Sequence, residues 1–146
     1  MKQFLFLFLL AVSTQLQAQS SDSTKIQRAA LNYIEGFYEG DTSKLQQSLS
    51  PTLYKYGYYK SKTGEYEGEP MSYAEAVAYA KRVYEKKRFA KSDAPKAVFL
   101  MDVQSNVACV KIHAWWGLDY LLLAKKGDTW MIEQVLWQGP LNTINH

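Results

Sequence analysis

The chain has 146 residues, 47 % of them hydrophobic and 14 % aromatic, with a formal net charge of +3. That length and apolar content suit one domain with a real core, and so mild a positive excess argues against nucleic acid or an anionic membrane as the partner. A single cysteine, Cys109, excludes an internal disulfide.

Residues 1–3 carry one lysine, residues 4–12 (FLFLFLLAV) are unbroken apolar, and residues 13–20 are polar and small. This is the three-part layout of a secretory signal. The run is far shorter than the roughly 20 residues that span a bilayer. Residues 1–18 are therefore expected to be a cleaved leader, and residues 19–146 a single exported domain, periplasmic or secreted, without a membrane anchor. Loss of Lys2 with the leader takes the charge from +3 to +2. In an oxidising compartment a lone thiol is safest buried, and strand neighbours Ala108 and Val110 predict that for Cys109.

The mature chain begins with N-cap candidates at residues 21–24. Ile26, Ala29, Ala30, Tyr33 and Phe37 then recur at helical spacing until Gly40. Asp41 can cap a short second helix with Leu45 and Leu49, ended by Pro51. Residues 53–60 (LYKYGYYK) alternate as a strand would, with Tyr54, Tyr56 and Tyr58 on one side. Residues 72–75 (SYAE) form a capping box opening a third helix, with Tyr73, Ala76, Val77, Ala80 and Tyr84 on one stripe. From Lys96 onward the pattern is β: residues 96–103, 106–116, 118–125 and 130–137, separated by turns at 104–106 and 126–128. Helices first and an antiparallel meander last predict an α+β domain with helices on one face of the sheet.

Two stretches carry a family likeness: residues 31–58 (LNYIEGFYEGDTSKLQQSLSPTLYKYGY) and residues 119–137 (DYLLLAKKGDTWMIEQVLW). Together they resemble the "putative lumazine-binding" family within the nuclear transport factor two-like (NTF2-like) superfamily. The resemblance implies a cone: a strongly curved sheet wraps the long first helix, leaves a pocket at the wide end, and often dimerises through the sheet. The superfamily hosts enzymes, binders and scaffolds alike. Resemblance to its ketosteroid isomerases would call for an aspartate base near residues 54–57, where the chain has Tyr-Lys-Tyr-Gly. Resemblance to its epoxide-opening hydrolases would call for an Asp-Arg-Asp relay in the sheet, yet no arginine lies beyond Arg88.

His113 is the one histidine inside the folded region, so a zinc site is not expected. Its register (Val107, Cys109, Lys111, His113, Trp115) alternates with a wholly apolar one (Ala108, Val110, Ile112, Ala114, Trp116), which suits the core. Asp102 and Asp119 lie in strand-like segments, and either could orient His113 as a base-orienting acid would. Aromatic rings give the main pocket evidence. Tyr33 and Phe37 share the first helix's inner stripe, Tyr54 and Tyr56 could line the mouth, and Trp116 and Trp130 supply further walls. Gln134, in register with Trp130 and Ile132, could aim a polar group into an apolar cavity. Lys81, Arg82, Lys86, Lys87, Arg88 and Lys91 form a basic cluster at the third helix's end, where the helix dipole favours cations.

These residues support, first, an exported non-catalytic binder of a small apolar or aromatic ligand, with no cofactor. A second reading is an isomerase, dehydratase or cyclase using His113 and a tyrosine, with Asp119 behind it. A third is a homodimeric interaction module that works through an exposed sheet face carrying His113 and Trp115.

Overall fold

The computed structural model describes the backbone of residues 2–141 and the side chains of residues 21–141. The leader expected over residues 1–18 thus lies outside the residues whose side chains are described. Three helices precede or interrupt six strands: α1 Lys2–Glu39, α2 Thr42–Ser48, β1 Leu49–Lys60, β2 Tyr66–Met71, α3 Tyr73–Glu85, β3 Ala97–Val103, β4 Val107–Ala114, β5 Gly117–Lys126 and β6 Thr129–Gly139. The strands form one sheet in the order β2-β1-β6-β5-β4-β3. Its pairs are antiparallel except β1 with β6, which run parallel. The expected α+β architecture is present: a curved, unclosed sheet wraps α1.

The predicted apolar stripe of α1 is the core. Ile26, Ala29, Ala30, Tyr33, Ile34 and Phe37 are all buried, each large one contributing on the order of 1.5–3 kcal/mol. They face Ala108, Val110, Ile112 and Ala114 of β4, Leu121 and Leu123 of β5, and Trp130, Ile132 and Val135 of β6. The apolar register of β4 is thus the inner one, with His113 opposite.

Residues 21–24 are not a helix start, because α1 is already helical there. Gly40 (φ +67) ends α1, and a Cβ on it would lie 2.5 Å from the Tyr84 nitrogen. Only a residue without a side chain lets the end of α1 meet the α3 backbone so closely. Asp41 then caps α2, accepting from the Lys44 amide at 3.2 Å. α2 ends at Ser48, before Pro51, which lies inside β1. The β1–β6 pairing skips from Leu49 to Tyr54 there, so the proline's missing N–H costs no ladder bond.

The Ser72 capping box is formed, its hydroxyl accepting from the Glu75 amide while the Glu75 carboxylate takes the Ser72 amide. The buried stripe of α3 is Ala76, Ala80 and Val83, whereas Tyr84 is exposed. Ala80 and Val83 pack one turn apart, and that rotates Tyr84 outward. Cys109 is half-buried on the outer face with Met101 at 3.9 Å, not in the core as expected, because its register is the outer one.

Candidate functional site

β1 decides the site. Its inward residues are Leu53, Lys55 and Gly57, and Tyr54, Tyr56 and Tyr58 take the other face. A lysine is thereby carried 5 % exposed into the concave side of the sheet. Gly57 beside it is required by space: a Cβ there would lie 1.7 Å from Trp137 Nε1, so the indole of β6 occupies the side-chain position of β1.

Three side chains from three other places join that lysine in one cluster. Lys55 Nζ donates to the Tyr33 hydroxyl at 2.7 Å, and Tyr33 donates to Asp119 Oδ2 at 2.6 Å. Trp116 Nε1 donates to Asp119 Oδ1 at 2.6 Å, and Lys55 Nζ lies 3.5 Å from Asp119 Oδ2. Three rings surround the ammonium: Trp137 at 5.2 Å, Tyr33 at 5.3 Å and Phe37 at 5.8 Å from centroid. At such distances the ring faces attract a cation.

Burial pushes the Lys55 ammonium below the ordinary lysine value, while the Asp119 charge pulls it back up. Burial, reinforced by the Asp119 charge, pushes the Tyr33 phenol well above 10. Tyr33 is therefore a neutral hydroxyl that accepts from one charged group and donates to the other. A buried carboxylate survives here because three donors surround it.

In front of this cluster opens a cavity of about 250 Å³, lined by Phe37, Lys55, Glu69, Met71, Tyr79, Trp115, Trp116 and Trp137. Its back wall is an aromatic edge-to-face array. Phe37 meets Tyr33 at 5.1 Å, Trp116 at 5.7 Å and Tyr79 at 5.8 Å between centroids. Apolar walls with one or two fixed polar groups are the usual make-up of a small-molecule pocket.

Of the residues singled out from sequence, Phe37 and Trp116 line this cavity. Tyr33 and Asp119 form its polar floor behind Lys55. Tyr54, 62 % exposed, and Tyr56, packed over Gly68, lie on the outer face instead. Trp130 is buried, but at the other end of the α1 stripe, where its Nε1 donates to Asp22. Gln134 is exposed. β5 pairs Leu123 with Ile132 but Leu122 with Gln134, so Glu133 is an extra residue that reverses the facing of β6. Inward positions run Trp130, Ile132, Val135. His113 is on the outer face against Phe99, 5.2 Å between rings. It pairs with Leu118 while Asp119 points inward, and Asp102 is exposed with Gln104 as its partner. No His113–carboxylate couple is formed.

Lys55, Glu69, Met71, Tyr79 and Trp137 were not anticipated, and Trp115, expected on the outer sheet face beside His113, sits in the turn after β4 and lines the cavity instead. The signal for Lys55 was present: a lone cation in register with Leu53 and Gly57, and a lone carboxylate, Asp119, in an otherwise apolar strand. Among the described residues no group of three His, Cys, Asp or Glu side chains could hold a metal, and no helix is long and apolar enough to cross a membrane.

A curved sheet around one long helix, open at a wide aromatic mouth, is the NTF2-like fold. The family model described as "putative lumazine-binding" matches residues 21–138, and the chain belongs to that family. Solved structures show the same fold. An NTF2-like protein of unknown function from Silicibacter pomeroyi is 15 % identical with a TM-score of 0.61, covering 81 % of this chain and 95 % of its own. A protein of unknown function from Mycobacterium tuberculosis is 12 % identical with a TM-score of 0.59, covering 88 % and 77 %. The association domain of C. elegans CaMKII is 10 % identical with a TM-score of 0.54, covering 84 % and 98 %. At such identities the likeness is one of fold alone. No protein with a curated description matches the chain by sequence.

Proposed function

We propose that this chain is an exported, non-catalytic binder of a small ligand with an apolar or aromatic body, held in the cavity between α1, α3 and the sheet. The observation that carries this reading is the aromatic cavity of about 250 Å³ with a single lysine at its floor. Membership of a family described as putative lumazine-binding supports a small molecule as the ligand. The floor favours holding over reacting. The Tyr33 hydroxyl and both Asp119 oxygens are already engaged with neighbours, and His113 lies on the other side of the sheet. General acid–base work needs a group free to reach the substrate. Lys55 has donors beyond the one given to Tyr33, enough to fix an acceptor on the ligand.

Native mass spectrometry of the protein purified from its own host tests this reading. The expected result is a bound small molecule that is lost from Trp116→Ala. A ligand-free protein that also fails to bind aromatic probes would sink it.

We also propose a homodimer through the outer face of the sheet. Tyr120, Leu122, Leu136 and Met101 are exposed there, an apolar set that water disfavours. Light scattering at high concentration checks it, and Leu136→Lys should shift the protein to monomer.

A further inference from the structure

A second recess continues the cavity past Phe37, Tyr79 and Trp115, which line both. It is a groove of about 440 Å³ between α3 and the segment that follows it, and it adds Phe89, Arg88 and Lys91 to the wall. Lys87 at φ 51 turns the chain back as α3 ends, and the Arg88 amide returns to the Val83 carbonyl at 2.9 Å. Tyr38 of α1 then fixes the segment. Its carbonyl accepts from the Ala90 amide at 3.0 Å, and its hydroxyl donates to the Pro95 carbonyl at 2.5 Å. The same hydroxyl accepts from the Trp115 amide at 2.7 Å. One tyrosine thus ties both walls of the groove to the central helix.

The charges of the two recesses differ in a way that orients a ligand. In the deep cavity Lys55 is matched by Asp119, and Glu69 adds a further carboxylate at the wall. An anion placed there would meet two negative groups for one cation. In the groove, Arg88 and Lys91 face a single carboxylate, Asp93. Neither cation has an ion-pair partner among the described residues. Elsewhere on the surface Lys44, Lys81, Lys96 and Lys126 are each matched by a glutamate; Lys60, Lys62, Lys86, Lys87 and Lys111 are not, but unlike Arg88 and Lys91 none of them lines either recess. The helix dipole accounts for cations in the last turn of α3, but Arg88 and Lys91 lie beyond it, on the groove.

We propose that the ligand is an amphipathic monocarboxylic acid. Its apolar body lies in the deep cavity against Phe37 and Trp116, and its carboxylate lies in the groove beside Arg88 and Lys91. This rests on the ligand-binding reading above and adds the ligand's charge and direction.

Calorimetric titration with 4-phenylbutyric acid and its uncharged amide, 4-phenylbutyramide, tests it at neutral pH. The acid should bind about tenfold tighter than the amide, a difference of about 1.4 kcal/mol. In R88A/K91A the acid should fall to within about twofold of the amide measured on the same variant. The charge-retaining R88K/K91R should keep the preference. Equal binding of acid and amide to the unaltered protein, or a preference that survives R88A/K91A, overturns the inference and leaves the cavity reading standing. Failure of both probes to bind overturns the cavity reading, and the inference with it.

Discussion

The same three kinds of side chain meet at both ends of the buried stripe of α1, with opposite consequences. At the wide end a carboxylate, a lysine and an indole N–H are joined as Asp119, Lys55 and Trp116. At the other end Asp22 takes Lys125 Nζ at 2.7 Å and Trp130 Nε1 at 3.1 Å. The Asp22 group is partly open to water, with side-chain exposures of 14 % and 24 % for the ion pair against 0 % and 6 % at the wide end. Lys125 and Trp130 hold the Asp22 carboxyl below its ordinary value. At the wide end burial dominates and drives the lysine down instead. Identical chemistry is thus a clasp where water reaches it and the buried floor of a cavity where water is excluded.

That contrast breaks first on the carboxylates. Asp119→Ala strands Lys55 and the Tyr33 hydroxyl in the interior and should cost about 3–5 kcal/mol in urea unfolding. Asp22→Ala should cost about 1 kcal/mol, because water can replace the lost partner. Equal losses would show that burial does not separate the two groups.

Gly57→Ala comes next. The new methyl must displace the Trp137 indole, for an expected loss of about 1–3 kcal/mol together with the ring contact to Lys55. Unfolding midpoint and probe affinity should fall together, whereas a matching change near Trp130 should leave affinity alone.

The pH dependence sharpens the contrast with smaller effects at opposite ends of the scale. The folded pKa of Asp22 lies below its ordinary 3.8, so its contribution is present above that value and is lost as pH falls through the folded one. Asp22→Asn should flatten stability in that acid window. The folded pKa of Lys55 lies below 10.5, so the unfolded chain holds more protons between the two values and stability should rise with pH there. Lys55→Met should abolish the rise. Above about pH 10 the raised Tyr33 pKa works the other way, since the unfolded chain then loses its phenolic proton first. Urea midpoints across both windows read these slopes.

Much of the frame was legible in the sequence. The stripe of α1, the Ser72 box, the inner register of β4 and the α+β order each follow from one period or one cap, and the family likeness agreed with them. The floor of the site was not. A period of two has two registers, and in β1 the aromatic one looked like the inner one. What reversed it was a long-range fact, the Trp137 indole needing the space over Gly57. Gln134 failed for a related reason: one extra residue at Glu133 flips every later side chain of β6, and no local pattern announces it. Lys55 stood in plain view, but only Asp119, a strand from the far end of the chain, makes an inward lysine reasonable.

The parallel pairing of β1 with β6 also sets when the site can exist. Thr52 and Glu133 bond across 81 positions of chain, and Tyr54 lies beside Gln134. Closing so long a loop precedes any reward from the contact, which places this seam among the slow events of folding. Lys55 and Trp137 sit on the two sides of that seam. Until β6 docks on β1, Lys55 lacks the Trp137 ring beside it. Only molecules in which this seam has closed bring Trp137 over Lys55 and so complete the aromatic floor.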